Sequence, residues 1–327
     1  MKAIVIREFG GPEVLKCVEK EKPTISDHQV LIRVKALSVN YADVRTRLGK
    51  YHAAGKPPII PGLDASGIVE AVGASVKSHN VGQRVIAFPK TGAYAEYVVA
   101  DEDLTFAIPE NLDPDGAAAC PIVGFTAYML LANVARLQPG ESVLIHSASG
   151  GVGTTAIQMA KTLGASRVIG IVGTSQKAEI ALEAGADQVI CRNNTDFVQE
   201  VHSATSGQGV DVILDPIAGK VAEKNLECLA PFGRLVAFGF ASGEPGHFKT
   251  SDLHSTCRSV MGFSIGTARN KRPQLLRNAA ENVFRYLSDG QIKMKISRIF
   301  PLEEASEAHK WLEGPQSTGK ILLKIGH

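Results

Sequence analysis

One stretch limits the fold more than any other. Ser142-Val143-Leu144-Ile145-His146 runs directly into Ser147-Ala148-Ser149-Gly150-Gly151-Val152-Gly153, and then into Thr154 to Lys161. Val143, Leu144 and Ile145 are apolar without alternation, which suits a strand buried on both faces of a parallel sheet. The glycines follow at once, and Thr155 to Lys161 reads as a helix start with Ile157 and Ala160 on its buried side. Strand, glycine turn and helix in that order is the context a dinucleotide site requires. Gly150 lets backbone approach a pyrophosphate, Gly153 lets the helix pack closely on the strand, and Ser149, Gly151 and Val152 complete the turn. Phosphate charge then meets the free N–H groups of the helix N-terminus. Ala148 occupies the place of the first glycine in the usual G-x-G-x-x-G pattern.

The rest of the chain divides in character near Ala117. Before it, Lys2–Ile6, residues 29–36, 67–72 and 84–88 are β-type runs, and Gly92 to Val99 alternates like a strand. Residues 43–48 form a candidate short helix, and several short strands with glycine turns suggest a small β-barrel. After Ala117, strands alternate with helical stretches. The candidate strands are 143–146, 167–172, 188–191, 210–214, 234–238 and 259–263. Helical patterns cover 176–184, 195–204 and 220–229. Six strands with right-handed crossovers make a doubly wound parallel sheet, with the cofactor across the switch point. A helix at 275–288, a strand at 292–298, a helix at 302–312 and a last strand at 321–325 are expected to return to the first domain.

Composition removes several other classes. At 327 residues the chain is long enough for two domains. Its net charge is +2 and no basic run interleaved with aromatics stands out, so nucleic acid is not expected as the primary partner. Five scattered cysteines without a C-x-x-C pair fit reduced thiols in the cytoplasm. Arg7 and Glu8 follow the first apolar run at once, which is not the pattern of a signal peptide. Residues 116–135 carry no charge over twenty residues, the length of a membrane span. Gly116, Pro121, Gly124 and Asn133 interrupt them, so the expectation is a turn followed by a buried helix.

The cofactor is read from the second strand of the sheet. A site for the non-phosphorylated dinucleotide holds the ribose hydroxyl with an acidic residue about 20 residues past the glycines. No Asp or Glu occurs from Thr154 to Ala178. The strand ends instead in Gly173-Thr174-Ser175-Gln176-Lys177, and Arg192 follows the third strand. Gly173 and Ser175 offer N–H donors, and Lys177 and Arg192 offer charge. That combination favours NADPH over NADH.

Taken together, P-G-L-D-A-S-G-I-V-E-A-V-G at 61–73, G-Q-R-V at 82–85, L-x-P-G-E-S-V-L-I at 137–145, S-A-S-G-G-V-G at 147–153 and S-T-G-K-I-L-L at 317–323 resemble the medium-chain dehydrogenase/reductase superfamily. Within it the chain is similar to the zinc-independent quinone oxidoreductase (zeta-crystallin-like) branch. The resemblance implies an α/β fold: a doubly wound six-stranded Rossmann domain at 123–267, and a β-rich GroES-like catalytic domain at 1–122 and 268–327. In zinc-dependent relatives the metal ligands fall at positions that here hold Asn40, Leu63 and Ile122. Cys120 is two places off, and one thiol does not hold zinc. No metal is expected.

Without a Lewis acid the substrate must accept hydride unaided, as quinones and α,β-unsaturated carbonyls do. The protein then holds substrate against nicotinamide and donates a hydrogen bond or proton. The resemblance places Asn40 and Asp43 beside the nicotinamide, with Thr126, Phe238, Gly239, Phe240, Phe263 and Lys320 among the cofactor contacts. An arginine that some relatives carry near the cofactor phosphate is replaced here by Pro315 and Gln316. Tyr51 is the proton-donor candidate, because its context matches the catalytic tyrosine of enoyl-thioester reductases, and Tyr41 is the second. His52 is a further candidate beside Tyr51, while His146 reads as hydrogen-bonded structure. Two alternatives stay open. One is a 2-enoyl thioester reductase, with Arg45, Arg47 and Lys50 as anchors for a coenzyme tail. The other is a non-enzymatic NADPH-binding structural or RNA-binding protein. A homodimer is expected, paired through the sixth strand at the sheet edge.

Overall fold

The computed structural model describes residues 1–51, 55–90 and 92–326. They fall into two compact units. One comprises Met1–Phe125, Gly266–Asp289 and Met294–His327, and the other Thr126–Ile265 with Gly290–Lys293.

The second unit is built on a six-stranded sheet in which every pairing is parallel. Its strand order is Gln188–Cys191, Arg167–Val172, Ser142–His146, Val210–Asp215, Leu229–Ala237, Ser259–Gly262. The first strand in sequence is therefore interior, and the order reverses between it and Val210–Asp215. Val143, Leu144 and Ile145 are buried, as an unbroken apolar run in a covered sheet requires. The helix after the glycine turn spans Gly151–Thr162, starting earlier than the sequence pattern suggests. Gly150 is its N-cap, and Thr154 and Thr155 donate back to the carbonyls of Gly150 and Gly151 at 3.0 and 2.8 Å. Ala156, Ile157, Met159 and Ala160 face the sheet.

The first unit carries a hairpin, Lys2–Ile6 with Leu15–Glu19, and a seven-stranded sheet. Gln29–Val39 is the hub of that sheet, pairing antiparallel with Ala65–Val72, Tyr97–Asp101 and Lys320–Lys324. The C-terminal segment thus completes a sheet begun near the N-terminus. Alternate residues Val30, Ile32 and Val34 of the hub strand, and Leu37 and Val39 beyond its register shift at Val34–Ala36, join Ile4, Ile6, Val85, Tyr94 and Leu323 in one core.

Several expected elements move. The strand expected at 92–99 lies at Tyr97–Asp101, because the Ala93 and Tyr94 N–H groups both turn to the Pro61 carbonyl, at 2.8 and 3.0 Å. The strand expected at 292–298 lies at Ile296–Pro301. Lys293 is held instead by the Gln158 side chain, whose Nε2 donates to its carbonyl at 3.0 Å and whose Oε1 accepts its N–H at 2.8 Å. The uncharged stretch forms helices Pro114–Ala119 and Pro121–Tyr128 and a π-helical segment Met129–Val134. Among the described residues no helix is long and apolar enough to cross a membrane.

Candidate functional site

In the second unit the glycine turn is shaped by backbone contacts. Ser147 takes the left-handed conformation at φ 52°, and its carbonyl accepts the Gly150 N–H at 2.9 Å. A Cβ on Gly153 would stand 2.3 Å from the Ser147 oxygen, so only glycine lets helix and turn approach this closely. A Cβ on Gly150 would stand 3.3 Å from the same oxygen, a tight contact that the bare glycine avoids. Ala148 in the first glycine position has a physical reason. It is fully buried, its N–H donates to the Ile171 carbonyl at 3.0 Å, and its methyl lies 2.9 Å from where a Cβ on Gly170 would be. The neighbouring strand gives up its side chain where the turn keeps one.

At the ends of the second and third strands Val172 pairs with Cys191, and the Arg192 N–H donates to the Val172 carbonyl at 3.1 Å. Lys177 belongs to the short helical turn Ser175–Lys177. Its amine is pushed down by partial burial and by the like charge of Arg192. Neither cation makes an ion pair among the described residues, and a Cβ on Gly173 would meet nothing within 4 Å. Two cations close enough to repel each other, without an ion pair among the described residues, are suited chemically to receive an anion.

Elsewhere in this unit Thr126 is buried, with no hydrogen-bond partner for its Oγ1 among the described residues. Phe238 and Phe263 are half-buried and Phe240 is exposed. Gly239 packs on the Pro216 backbone, where a Cβ would come within 2.4 Å of the carbonyl oxygen. His146 is buried at the end of its strand and bonds the Asn225 Oδ1 through Nε2 at 2.7 Å. Burial lowers its pKa, and the nearby Asp215 opposes that.

In the first unit a polar network is sealed in the interior. Asn40 ends the hub strand and caps helix Tyr41–Arg47, whose Asp43 accepts the Asn40 N–H at 2.8 Å. The Asn40 amide donates to Asp64 Oδ1 at 3.0 Å. Ser38 also donates to Asp64, at 2.9 Å, and the Ile122 N–H donates to it at 3.2 Å. Lys320 closes the group, its Nζ donating to Asn40 Oδ1 at 2.7 Å and to the Val39 carbonyl at 2.9 Å. Burial raises Asp64 and lowers Lys320, and each charge offsets part of the other's desolvation. Burial lifts Asp43 to about 7. Tyr94 donates to Asp43 at 3.2 Å and lies 3.1 Å from His309 Nε2, and burial holds His309 at about 3.

The structure thus brings Asn40, Asp43 and Lys320 together, and adds Asp64, Ser38, Tyr94 and His309, to which no role attaches in the sequence. Lys320 is not presented on a surface: it is 3% exposed and its ammonium is spent on Asn40 and Val39. Tyr51 is half-buried, and burial raises its phenol pKa. Tyr41 is exposed at the start of its helix. His52 lies outside the described residues. Arg47 is corrected as a coenzyme anchor, since it is 1% exposed and pairs with both oxygens of Glu313 at 2.9 Å. Asn40, Leu63 and Ile122 are the positions at which the resemblance implies metal ligands in zinc-dependent relatives. Among the described residues no three His, Cys, Asp or Glu are grouped to hold a metal ion.

Two family models match the chain. Residues 26–110 match the alcohol dehydrogenase GroES-like domain, and residues 151–281 match the family described as zinc-binding dehydrogenase. The chain is 35% identical to the quinone oxidoreductase of Sus scrofa, over 99% of this chain and 98% of that one. It is 34% identical to the 2-haloacrylate reductase of a Burkholderia species, over 98% of each. Its fold is similar to that of the Escherichia coli quinone oxidoreductase crystallised with NADPH, with a TM-score of 0.92 at 34% identity, covering 99% of this chain and 100% of that one.

Proposed function

Because the chain belongs to the zinc-independent quinone oxidoreductase-like branch of the medium-chain dehydrogenase/reductase superfamily, and is on that ground an oxidoreductase, we propose that it reduces quinones or α,β-unsaturated carbonyls with NADPH and without a metal. The observation that carries the cofactor is the pair Lys177 and Arg192, which repel each other and make no ion pair among the described residues, where no Asp or Glu occurs from Thr154 to Ala178. A 2′-phosphate supplies the anion these two cations lack. Gly150, Gly151, Val152 and the helix N-terminus hold the pyrophosphate, with Ser149 and Ser175 as further donors. Thr126, with its unsatisfied hydroxyl, and Phe238, Gly239, Phe240 and Phe263 hold the nicotinamide end.

NADPH, when bound, supplies the hydride. The remaining work falls to the chain's own groups. Asn40 is held in one orientation by Asp64 and Lys320, so its amide is fixed before substrate arrives. Asp43 supports the same turn, and Tyr51 donates the proton that completes reduction. The Lys320 amine sits on Asn40, the first of the three positions where the resemblance implies metal ligands in zinc-dependent relatives, and an amine donating there disfavours a metal ion. The relatives are named for a quinone and for a haloacrylate, both electron-poor conjugated molecules, which favours this substrate class. The 2-enoyl thioester reading is weaker, because Arg47 is committed to Glu313. We also propose a homodimer through the edge strand Ser259–Gly262 and a cytoplasmic location.

The test is turnover of a para-quinone, an enone and crotonyl-CoA side by side with NADPH and with NADH. Faster reduction of the first two with NADPH supports the reading. Preference for crotonyl-CoA or for NADH overturns it, and tight NADPH binding without any turnover favours the non-enzymatic alternative.

A further inference from the structure

A chain of three hydrogen-bonded side chains runs through the interior of the first unit. Asp43 lies on helix Tyr41–Arg47, Tyr94 just before strand Tyr97–Asp101, and His309 on helix Ala305–Glu313, and all three are fully buried. The Tyr94 hydroxyl stands between the other two, 3.2 Å from Asp43 Oδ2 and 3.1 Å from His309 Nε2. It has one proton and two neighbours able to accept one. In these three side chains the only buried polar atoms without a partner among the described residues are Asp43 Oδ1 and His309 Nδ1, the two ends of the chain. Its middle is held by packing. The Tyr94 and His309 rings meet edge to face with centroids 5.8 Å apart. A Cβ on Gly62 would fall 2.5 Å from Tyr94 Cδ1, so the phenol lies against bare backbone. The charges facing the chain are Asp64 and Lys320 at Asp43, and Arg47, with Glu313 bound to it, at Tyr94 and His309. Tyr51 and the buried Arg269 of helix Ile265–Lys271 also feel the Asp43 charge.

We propose that Tyr94 and His309 are positioning residues that act through Asp43, forming a proton relay between the Asn40–Asp43 turn and helix Ala305–Glu313. With Asp43 ionised, Tyr94 donates to it and His309 donates to Tyr94 through Nε2–H, which leaves Nδ1 bare. A proton then bonds to Nδ1. The Nε2–H bond breaks as that proton passes to the Tyr94 oxygen, and the Tyr94 O–H bond breaks as its own proton passes to Asp43 Oδ2. One proton has entered at His309 and one rests on Asp43. Phenol and imidazole are again neutral, and each bond of the chain points the other way. The reverse sequence releases the proton. The three groups suit these roles. Burial holds Asp43 at about 7, so both of its forms are reached near neutral pH. His309, held at about 3, stays neutral and carries a proton by exchanging one nitrogen for the other. Burial keeps the Tyr94 phenol well above its ordinary value, so it passes a proton without resting as a phenolate. Asp43 Oδ2 keeps a lone pair for the Asn40 N–H in either form, so the turn retains its cap. Each turnover of a reductase consumes one proton along with the hydride, and its supply through Asp43 rests on the reductase reading above.

The experiment follows the His309 imidazole by nitrogen NMR in the isotopically labelled full chain without cofactor, its signals identified by their loss in His309→Gln. A bare ring nitrogen and a protonated one resonate far apart, so the spectrum reads which of the two carries the proton. The expected result is Nε2–H above the Asp43 midpoint and Nδ1–H below it, with no such change in Tyr94→Phe or Asp43→Asn. The second variant serves if the first does not fold. In turnover, Tyr94→Phe lowers kcat for an enone about tenfold or more with little change in KM, flattens the kcat–pH profile around the Asp43 midpoint, and adds no further loss to Asp43→Asn. A single His309 tautomer across the whole window in the parent overturns the relay, whatever the turnover. A kcat–pH profile in Tyr94→Phe like that of the parent overturns its use in catalysis. Absence of turnover by the parent chain overturns the reductase reading, whatever the tautomers.

Discussion

Lys320 Nζ and Asn40 Oδ1 lie 2.7 Å apart in the interior of the first unit, though 280 residues separate them in sequence. The bond joins the C-terminal strand to the end of the hub strand, and holds the Asn40 amide in one orientation.

Removing that ammonium leaves Asp64 buried without its cation and Asn40 without its acceptor bond. Lys320→Met is expected to destabilise the protein by about 3 kcal/mol or more in denaturant unfolding. A loss within a few tenths of a kcal/mol would mean that Lys320 and Asp64 are not held as a charged pair.

The proposed function makes cofactor choice rest on Lys177 and Arg192. Replacing either with Ala is expected to raise KM for NADPH about tenfold or more and to leave KM for NADH nearly unchanged, because only the 2′-phosphate distinguishes the two. Equal effects on both cofactors would place these cations elsewhere than at that phosphate.

The Ala148 methyl and the bare Gly170 form a matched pair across the turn. Gly170→Ala brings two methyls to about the 2.9 Å separation that real Cβ atoms do not adopt, and is expected to cost about 1–3 kcal/mol. Adding Ala148→Gly should recover most of that loss, a coupling readable in a double-mutant cycle. Simple additivity of the two losses would contradict the packing relation.

Asp43 and His309 give opposite pH dependence. Burial raises Asp43 to about 7, so the folded protein keeps a proton that the unfolded chain has lost, and stability falls as pH rises from the ordinary carboxylate range to about 7. Burial holds His309 at about 3, so the unfolded chain takes up a proton that the native state refuses. That contribution is lost as pH falls below the ordinary imidazole value. The two slopes offset each other between about pH 4 and 6.5. Asp43→Asn removes only the first, so its stability should climb with pH across that window more steeply than the parent's, by about 1 kcal/mol per unit. Parallel curves would show that Asp43 titrates normally.

The parallel sheet was legible because strands covered on both faces are written as unbroken apolar runs, as in Val143–Ile145 and Val168–Val172. The first unit was less so. Leu15–Glu19 hides in the sequence because only Leu15 is buried, and Thr105–Ala107 is too short to show a period. The glycine turn announced itself through local spacing. The network around Asp64 did not, since Ser38, Asn40, Asp64, Ile122 and Lys320 come together only when strands from both ends of the chain pair. Arg269 was invisible for a related reason: beside Asn270 and Lys271 it reads as one more solvated cation, and only the packing of Phe88 and Pro89 on its helix withdraws it from water.

The central claim is metal-free, NADPH-dependent reduction of an activated double bond. Its most direct test is the steady-state rate of NADPH consumption with a para-quinone, measured on protein exhaustively treated with a chelator and then again with zinc restored. The account predicts quinone-dependent turnover that the chelator does not diminish and zinc does not increase. Loss of activity on chelation with recovery on adding zinc, or no quinone-dependent turnover at all, would contradict it.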